Sequence, residues 1–415
     1  GDALPTEEEA THDGVGHAVA PPAAAEIGAE PESTAPPAEG KPDHDPEIPS
    51  NAAGGQAATA VAERAAPYEI TGFAPGVEEE ILRFEQRAWP ERRQNGVLPR
   101  WNWLHIESAR RLAIDPRVWL YREGDAVAAH AGAVPVKLKI GGDEQLAAWV
   151  RAAELPEPSR HETAGSRLMV RAGEELPFSL SLVESERMRA ILLQLGWVQV
   201  WQLETSELMI HPDAVLQGKH AGKATLAEWG WRATTAVRTL FQHRARLDVQ
   251  QVARFGERHD ELWRVTSNDV ACGVVRDASY LNWRYVDQPA VEVLRLEIVD
   301  GNALRGVVVL TFREATAAYP YRHAVLSDLV APLADADLLS QLFQVAGTAA
   351  AERDADALLC EHAGQPLTRA LRQYGFLMRD PGRFLMVNPG QLTPEWRSVV
   401  LTGKDWLITP GDADL

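Results

Sequence analysis

The chain holds two cysteines in 415 residues, Cys272 and Cys360. They are too few for a disulfide framework or, by themselves, a zinc site, and read as buried thiols in a reducing compartment. No apolar run reaches the ~20 residues of a membrane-spanning helix. No apolar signal core stands near the first residue either. The expectation is therefore a cytoplasmic protein with no membrane partner. Aromatic residues are missing altogether from 1–66, where Lys41 and Arg64 face 13 acidic residues. Such an Ala/Pro/Glu-rich segment cannot bury enough apolar surface to offset its ordering entropy, so 1–66 is expected to be a disordered acidic tail. Clustered Lys and Arg are also lacking. The net charge is −18, and the part after residue 66 remains mildly acidic, which argues against nucleic acid as a partner. There is no His-x-x-x-His, Gly-x-Ser-x-Gly or Walker loop, so neither a metal site nor a hydrolase or ATPase centre is expected.

What is present is a repeating alternation of helix and strand patterns. "GVEEEILRFEQRAWP" and "NWLHIESARRLAI" have helical spacing, the first ended by Pro90. The stretch from Val118 to Leu155 reads as three or four strands, with turns at Glu123-Gly124-Asp125 and Gly141-Gly142-Asp143. A helix over about 164–174, a strand "FSLSLV" and a helix "SERMRAILLQLGW" follow. After the polar stretch 211–226 the pattern partly recurs. Two strands flank Asp300-Gly301-Asn302, "HAVLSDLVAP" is a strand, and a helix covers about 335–353. "DALLCEH" is a further strand, and "PLTRALRQYGF" a helix. The endings "LQLGW" and "RQYGF" occupy equivalent places. The expected division is thus a tail at 1–66, an α/β domain at 67–212, a linker at 213–226 and a second α/β domain at 227–415, each domain with a mixed central sheet flanked by helices.

Between the strand "LAAWVRAAEL" and the helix at 164 lies "PSRHETAGSRLM". A strand, a loop of small residues and a helix start can hold a phosphate on backbone N–H groups, or can be a plain capped helix. With the loop and the two helix endings, the order of elements resembles the GCN5-related N-acetyltransferase (GNAT) superfamily, as two tandem copies over most of 68–415. In that family a strand ends in an acidic or polar stretch and then Arg/Gln-x-x-Gly-x-Gly/Ala. Here Arg160 and Gly165 match, while Thr163 stands in place of the first glycine, where it could cap the helix. The resemblance implies that Leu155, Arg160, His161, Glu162, Thr163, Ala164, Gly165 and Ser166 receive acetyl-coenzyme A as cosubstrate. In the second copy the loop is "APLADADLLSQL", whose Asp335 and Asp337 would repel a pyrophosphate.

The same resemblance implies a carboxylate base on the sheet. Glu154 is the candidate, with Glu162 and His130 behind it. The tyrosine that family members often use as an acid is replaced by Leu192 in the first copy and Leu371 in the second. Arg100, Trp101 and Trp103 are expected to line an acceptor groove. "NWRY" at 282–285 reads as a helix-end packing unit, and Asp405, Asp412 and Asp414 as a solvated tail. The function implied is a bacterial, acyl-CoA-dependent N-acyltransferase acting on an amine of a small molecule or sugar precursor. Alternatives are a catalytically silent GNAT-fold binding protein or a FemAB-like aminoacyl transferase.

Overall fold

Turns set the frame. Gly124 and Gly301 both take a left-handed backbone, φ 57° and 60°, and close equivalent hairpins. The computed structural model describes residues 68–90, 97–151, 163–219, 248–403 and 405–413, all within one compact unit. The expected tail and most of the expected phosphate loop lie outside these residues. In chain order the first half contains β1 (Tyr68–Gly72), α1 (Val77–Ala88), α2 (Val97–Trp101), a π-helical turn (Asn102–Glu107), α3 (Ser108–Arg111), β2 (Arg117–Glu123), β3 (Ala126–Ile140) and β4 (Asp143–Val150). Then come α4 (Ala164–Glu175), β5 (Ser179–Val183), α5 (Glu186–Gln194), β6 (Val198–Met209) and α6 (Pro212–Lys219). The start of the expected linker is therefore helical.

The second half opens with β7 (Asp248–Gln251), α7 (Glu257–Thr266), β8 (Cys272–Val274) and α8 (Ala278–Tyr285). β9 (Val293–Asp300), β10 (Ala303–Arg313), β11 (His323–Val330), α9 (Ala336–Ala351), β12 (Ala357–His362), α10 (Gln365–Tyr374) and β13 (Leu377–Asn388) follow. The chain continues through α11 (Pro394–Thr402), β14 (Trp406–Leu407) and α12 (Pro410–Ala413).

The helices form where apolar residues recur at helical spacing. α1 buries Val77, Ile81 and Phe84, and α9 buries Leu338, Leu342, Phe343 and Ala346. Ser185, Asp277 and Thr393 cap α5, α8 and α11 by accepting a first-turn N–H. α5 and α10 end alike. Gly196 and Gly375 take φ 84° and 107°, and the N–H groups of Trp197 and Phe376 return to the carbonyls of Leu192 and Leu371, each at 3.0 Å.

Among the described residues, 14 strands join one mixed sheet, in the order β1-β2-β3-β4-β5-β13-β6-β12-β11-β10-β9-β7, with β8 paired to β3 and to β14. From either edge the pattern is the same. Antiparallel pairs lead inward to one parallel pair, β4 with β5 or β11 with β12. At the centre the halves trade strands: β13 lies antiparallel against β5, and β6 antiparallel against β12. The sequence pattern gave no sign of this exchange. The largest apolar cluster draws on both halves, from Trp103 to Ile408.

Candidate functional site

Each half has one place where parallel neighbours part and a helix begins beside them. In the first half, β4 pairs β5 at Ala148↔Ser179 and Trp149↔Leu180. α4 then starts at Ala164, with Ala164 and Gly165 buried. Thr163 is its N-cap residue, yet its side chain makes no cap hydrogen bond and no acidic residue stands in the first turn. The Ser166 hydroxyl donates to the Thr163 carbonyl at 3.0 Å. The first-turn N–H groups thus have no carboxylate among the described residues, and the helix dipole presents positive potential there. Glu154, Leu155, Arg160, His161 and Glu162 lie outside the described residues.

The second half differs at both points. α9 is capped by Asp335, whose carboxylate accepts from the Leu338 N–H at 2.9 Å, with Asp337 in the same turn. β11 pairs β12 at His323, Ala324 and Val325. Beyond that point the C-terminal segment 405–413 runs between them. β14 lies parallel to β8, Ile408 bridges to Ala363 just past β12, and α12 packs on β11 and β12. The fit depends on glycine. A Cβ on Gly411 would lie 1.8 Å from the Tyr285 hydroxyl, and one on Gly364 1.7 Å from the Trp406 carbonyl oxygen.

A buried ion network holds this segment. The fully buried Arg276 guanidinium donates to Asp328 at 2.7 Å, Asp412 at 2.6 Å, Thr409 at 3.1 Å and the Val274 carbonyl at 2.8 Å. The Tyr285 hydroxyl donates to the other Asp328 oxygen at 2.8 Å, and Arg284 Nε to the Gly411 carbonyl at 2.6 Å. Burial opposes the Arg276 charge, but Asp328 and Asp412 outweigh it and raise its pKa above the usual arginine range. Burial pushes the Asp412 carboxyl upward against the pull of Arg276. The solvated-tail expectation is therefore corrected for Asp412, which is 1% exposed. Asp414 lies outside the described residues.

On the opposite side of the second half's sheet from α9 opens a cleft of about 800 Å³. Its wall begins at Glu184, directly after β5, and runs across Glu361, Arg383, Arg379, His323 and Tyr319 to Gly411. Slips of register between Met378 and Phe384 make a bulge in β13 opposite β6. Arg383 Nε reaches both Glu361 oxygens, at 3.2 and 3.1 Å. Arg379 donates to buried Glu207 and, at 3.1 Å, to the Tyr321 hydroxyl. Burial lowers the His323 pKa and favours the neutral ring. Its Nδ1 lies 3.3 Å from the Tyr321 carbonyl, which places the proton there and leaves Nε2 as an acceptor. These residues were not singled out from the sequence, because their partners Glu207 and Glu361 stand on other strands.

Solved structures supply the comparison. A GCN5-related N-acetyltransferase from Anabaena variabilis ATCC 29413 matches over 77% of this chain and 72% of its own, at 13% identity and a TM-score of 0.52. The fold is that of the GCN5-related N-acetyltransferases. A conserved protein of unknown function from Enterococcus faecalis V583, described as a probable N-acyltransferase, matches over 79% and 73% of the two chains, at 11% identity and TM-score 0.52. Saccharomyces cerevisiae N-myristoyltransferase with bound myristoyl-CoA matches over 81% and 89%, at 10% identity and TM-score 0.51. No protein-family model matches the sequence, and no curated protein matches it. Identities this low establish the GNAT architecture alone.

Within this GNAT fold the expected acceptor residues Arg100, Trp101 and Trp103 are not among those that line the cleft. Trp103 is 2% exposed and stacks on Trp283 with ring centroids 5.1 Å apart. Each indole N–H donates to the other's backbone carbonyl, at 2.7 and 3.0 Å. Trp101 is buried with Val118 and Leu120 and tilts on His105. Arg100 reaches over the Trp103 ring at 5.9 Å. "NWRY" forms the end of α8, where Trp283 and Tyr285 pack as a unit. His130 is tied to Glu85 of α1 at 3.1 Å. Leu192 and Leu371 are both fully buried. Among the described residues no helix is long and apolar enough to cross a membrane, and no group of three His, Cys, Asp or Glu could hold a metal.

Proposed function

We propose that the chain is an acyl-CoA-dependent N-acyltransferase built from two GNAT-like halves, of which the first, 67–212, takes the thioester cosubstrate. One observation carries this reading: α4 begins with neither a side-chain cap nor an acid in its first turn, whereas α9 begins under Asp335. A pyrophosphate is stabilised by free N–H groups at a helix start and repelled by a carboxylate. The loop 155–166 with Gly165 would then take the phosphates of acetyl-CoA or a longer acyl-CoA. The acceptor amine of a small molecule would enter through the cleft that starts at Glu184. Glu154 and the neutral His323 are the groups proposed to take the amine proton. Most of the rate would come from holding thioester and amine together.

Calorimetry with acetyl-CoA tests this. One molecule should bind per chain, and Gly165→Asp should abolish binding. A stoichiometry of two, or undiminished binding by Gly165→Asp, would refute the assignment. A second reading, a binding protein without catalysis, is favoured by Leu192 and Leu371, since neither buried leucine can protonate a departing thiolate. Binding of acyl-CoA with no release of free thiol, across a panel of amines, would select it.

A further inference from the structure

The geometry points to a further catalytic group in the first half: His130, held by Glu85, stands at the acyl end of the thioester and takes a proton from the acceptor amine. This rests on the acyltransferase reading and adds a residue pair to the half that would take the thioester. β4 and β5 pair at Ala148↔Ser179 and Trp149↔Leu180 and part beyond them. The unpaired edges in that split offer backbone partners to the amides of coenzyme A's arm. β3 runs antiparallel on the other side of β4, with Ala133 opposite Val150, and the Arg151 N–H still reaches the Gly132 carbonyl at 3.3 Å. His130 follows two residues further along β3, level with the open split and about 10 Å along the strand from Ala133.

Alternation sets its face. Ala129, Ala131 and Ala133 share a buried cluster with Leu168 and Ala172 of α4. His130 and Gly132 therefore point the other way, toward α1 and the π-helical turn. Trp149 also faces away from α4, since its neighbours Ala148 and Val150 belong to the α4 cluster and it does not. It is 3% exposed, and its indole N–H has no acceptor among the described residues. A polar ligand on this face would supply one.

The imidazole is fixed by two successive residues of α1. Its Nε2 lies 3.1 Å from Glu85 Oε1, and Phe84 meets the ring edge-on at 5.5 Å. The His130 side chain is 13% exposed and that of Glu85 9%, so the pair is held without being sealed. With the carboxylate accepting from Nε2–H, the Nδ1 lone pair is the acceptor, and Glu85 balances the charge the ring gains. Beside it, Gly132 makes room for His105, because a Cβ there would lie 2.3 Å from His105 Cε1. The π-helical turn delivers that ring to the sheet, and such turns recur at functional sites. Burial lowers the His105 pKa to about 3, so it sets no second positive charge beside His130. In the step, Nδ1 takes one proton from the acceptor ammonium, and the freed lone pair forms the C–N bond at the thioester carbon. The C–S bond breaks with its electron pair on sulfur, which takes the proton that nitrogen sheds on becoming an amide. His130 then returns its proton to solvent.

The test uses the full chain and bromoacetyl-CoA, whose electrophilic methylene stands where acetyl-CoA has its methyl. At the acyl end the Nδ1 lone pair should form an N–C bond and expel bromide. Peptide mass spectrometry should find the adduct on His130, and excess acetyl-CoA should suppress it. His130→Gln should lose the adduct while binding acetyl-CoA as the parent does in calorimetry. Glu85→Gln should slow labelling at least about tenfold, because the ring is no longer oriented. An adduct on Glu154, His323 or a cysteine in place of His130, or an equal rate in Glu85→Gln, would overturn the pairing. If acetyl-CoA binds and His130 stays unlabelled, this inference falls alone. If acetyl-CoA does not bind, the acyltransferase reading falls and takes the pair with it.

Discussion

The two strand splits share one pattern of pairing and differ in what lies beside the strands. In the second half the segment 405–413 occupies the gap, and an arginine between two aspartates fastens it. In the first half the parallel pair parts beside a helix whose start has no side-chain cap. The difference shows how one pattern of strand pairing can serve two different surroundings. The gap in the second half was closed with polar and charged groups that satisfy one another. Such a network costs heavily when one member is removed alone, because the remaining charges stay buried.

Removing the fastener should have the largest effect. Arg276→Met would leave Asp328 and Asp412 facing each other without a counter-charge, and should destabilise the protein by about 3–5 kcal/mol in urea unfolding. Adding Asp328→Asn and Asp412→Asn should recover part of that loss. If Arg276→Met melts like the parent, the segment is not held by the ion network.

A somewhat smaller effect concerns acid. Burial lowers the pKa of His362, at the end of β12, to about 4, from an unfolded value near 6.5. The ring is buried between Ser206, at 2.9 Å, and Thr368, at 3.3 Å. Its folded pKa is depressed, so the unfolded chain takes up the proton first. Stability should be undiminished above about pH 6.5 and should fall as pH drops toward 4, by on the order of 3 kcal/mol. His362→Asn should flatten that slope in unfolding curves measured across the same range. An unchanged slope would assign the acid loss elsewhere, first to His105, whose pKa burial lowers to about 3.

The finest test exchanges the helix starts. Thr163→Asp should stabilise α4 by about 1 kcal/mol and cost acyl-CoA affinity, whereas Asp335→Thr should cost up to about 1 kcal/mol and create no second site. Paired melting and calorimetric titrations read both numbers. Tight acyl-CoA binding by Thr163→Asp would erase the proposed distinction between the halves.

Much of the fold was legible because turns and caps are local. The Gly124 and Gly301 hairpins, the Gly196 and Gly375 helix ends and the strand-helix alternation are visible in short windows of sequence. One further signal passed unnoticed: Asn102-Trp103 and Asn282-Trp283 recur 180 residues apart, and the two indoles meet in the structure. Partner choice was not legible. Nothing in "VQVWQLETSELM" says that β6 will lie beside β12, since alternation identifies a strand without naming its neighbour. Asp412 was misread for a similar reason. Its partner Arg276 stands 136 residues earlier, so the local sequence looked like a polar tail. The arginines of the cleft share this limit, since Arg379 and Arg383 meet carboxylates that stand 172 and 22 residues earlier.

The crossing of β6 and β13 also constrains the order of assembly. During synthesis β5 emerges near residue 180, but the strand that flanks it, Phe384–Asn388, emerges some two hundred residues later. The inner edge of the first half therefore waits unpaired while most of the second is made, and an unpaired edge invites wrong neighbours. Contacts this distant in sequence also slow folding, because a long loop must close before they form. The middle of the sheet forms only once β13 has been made.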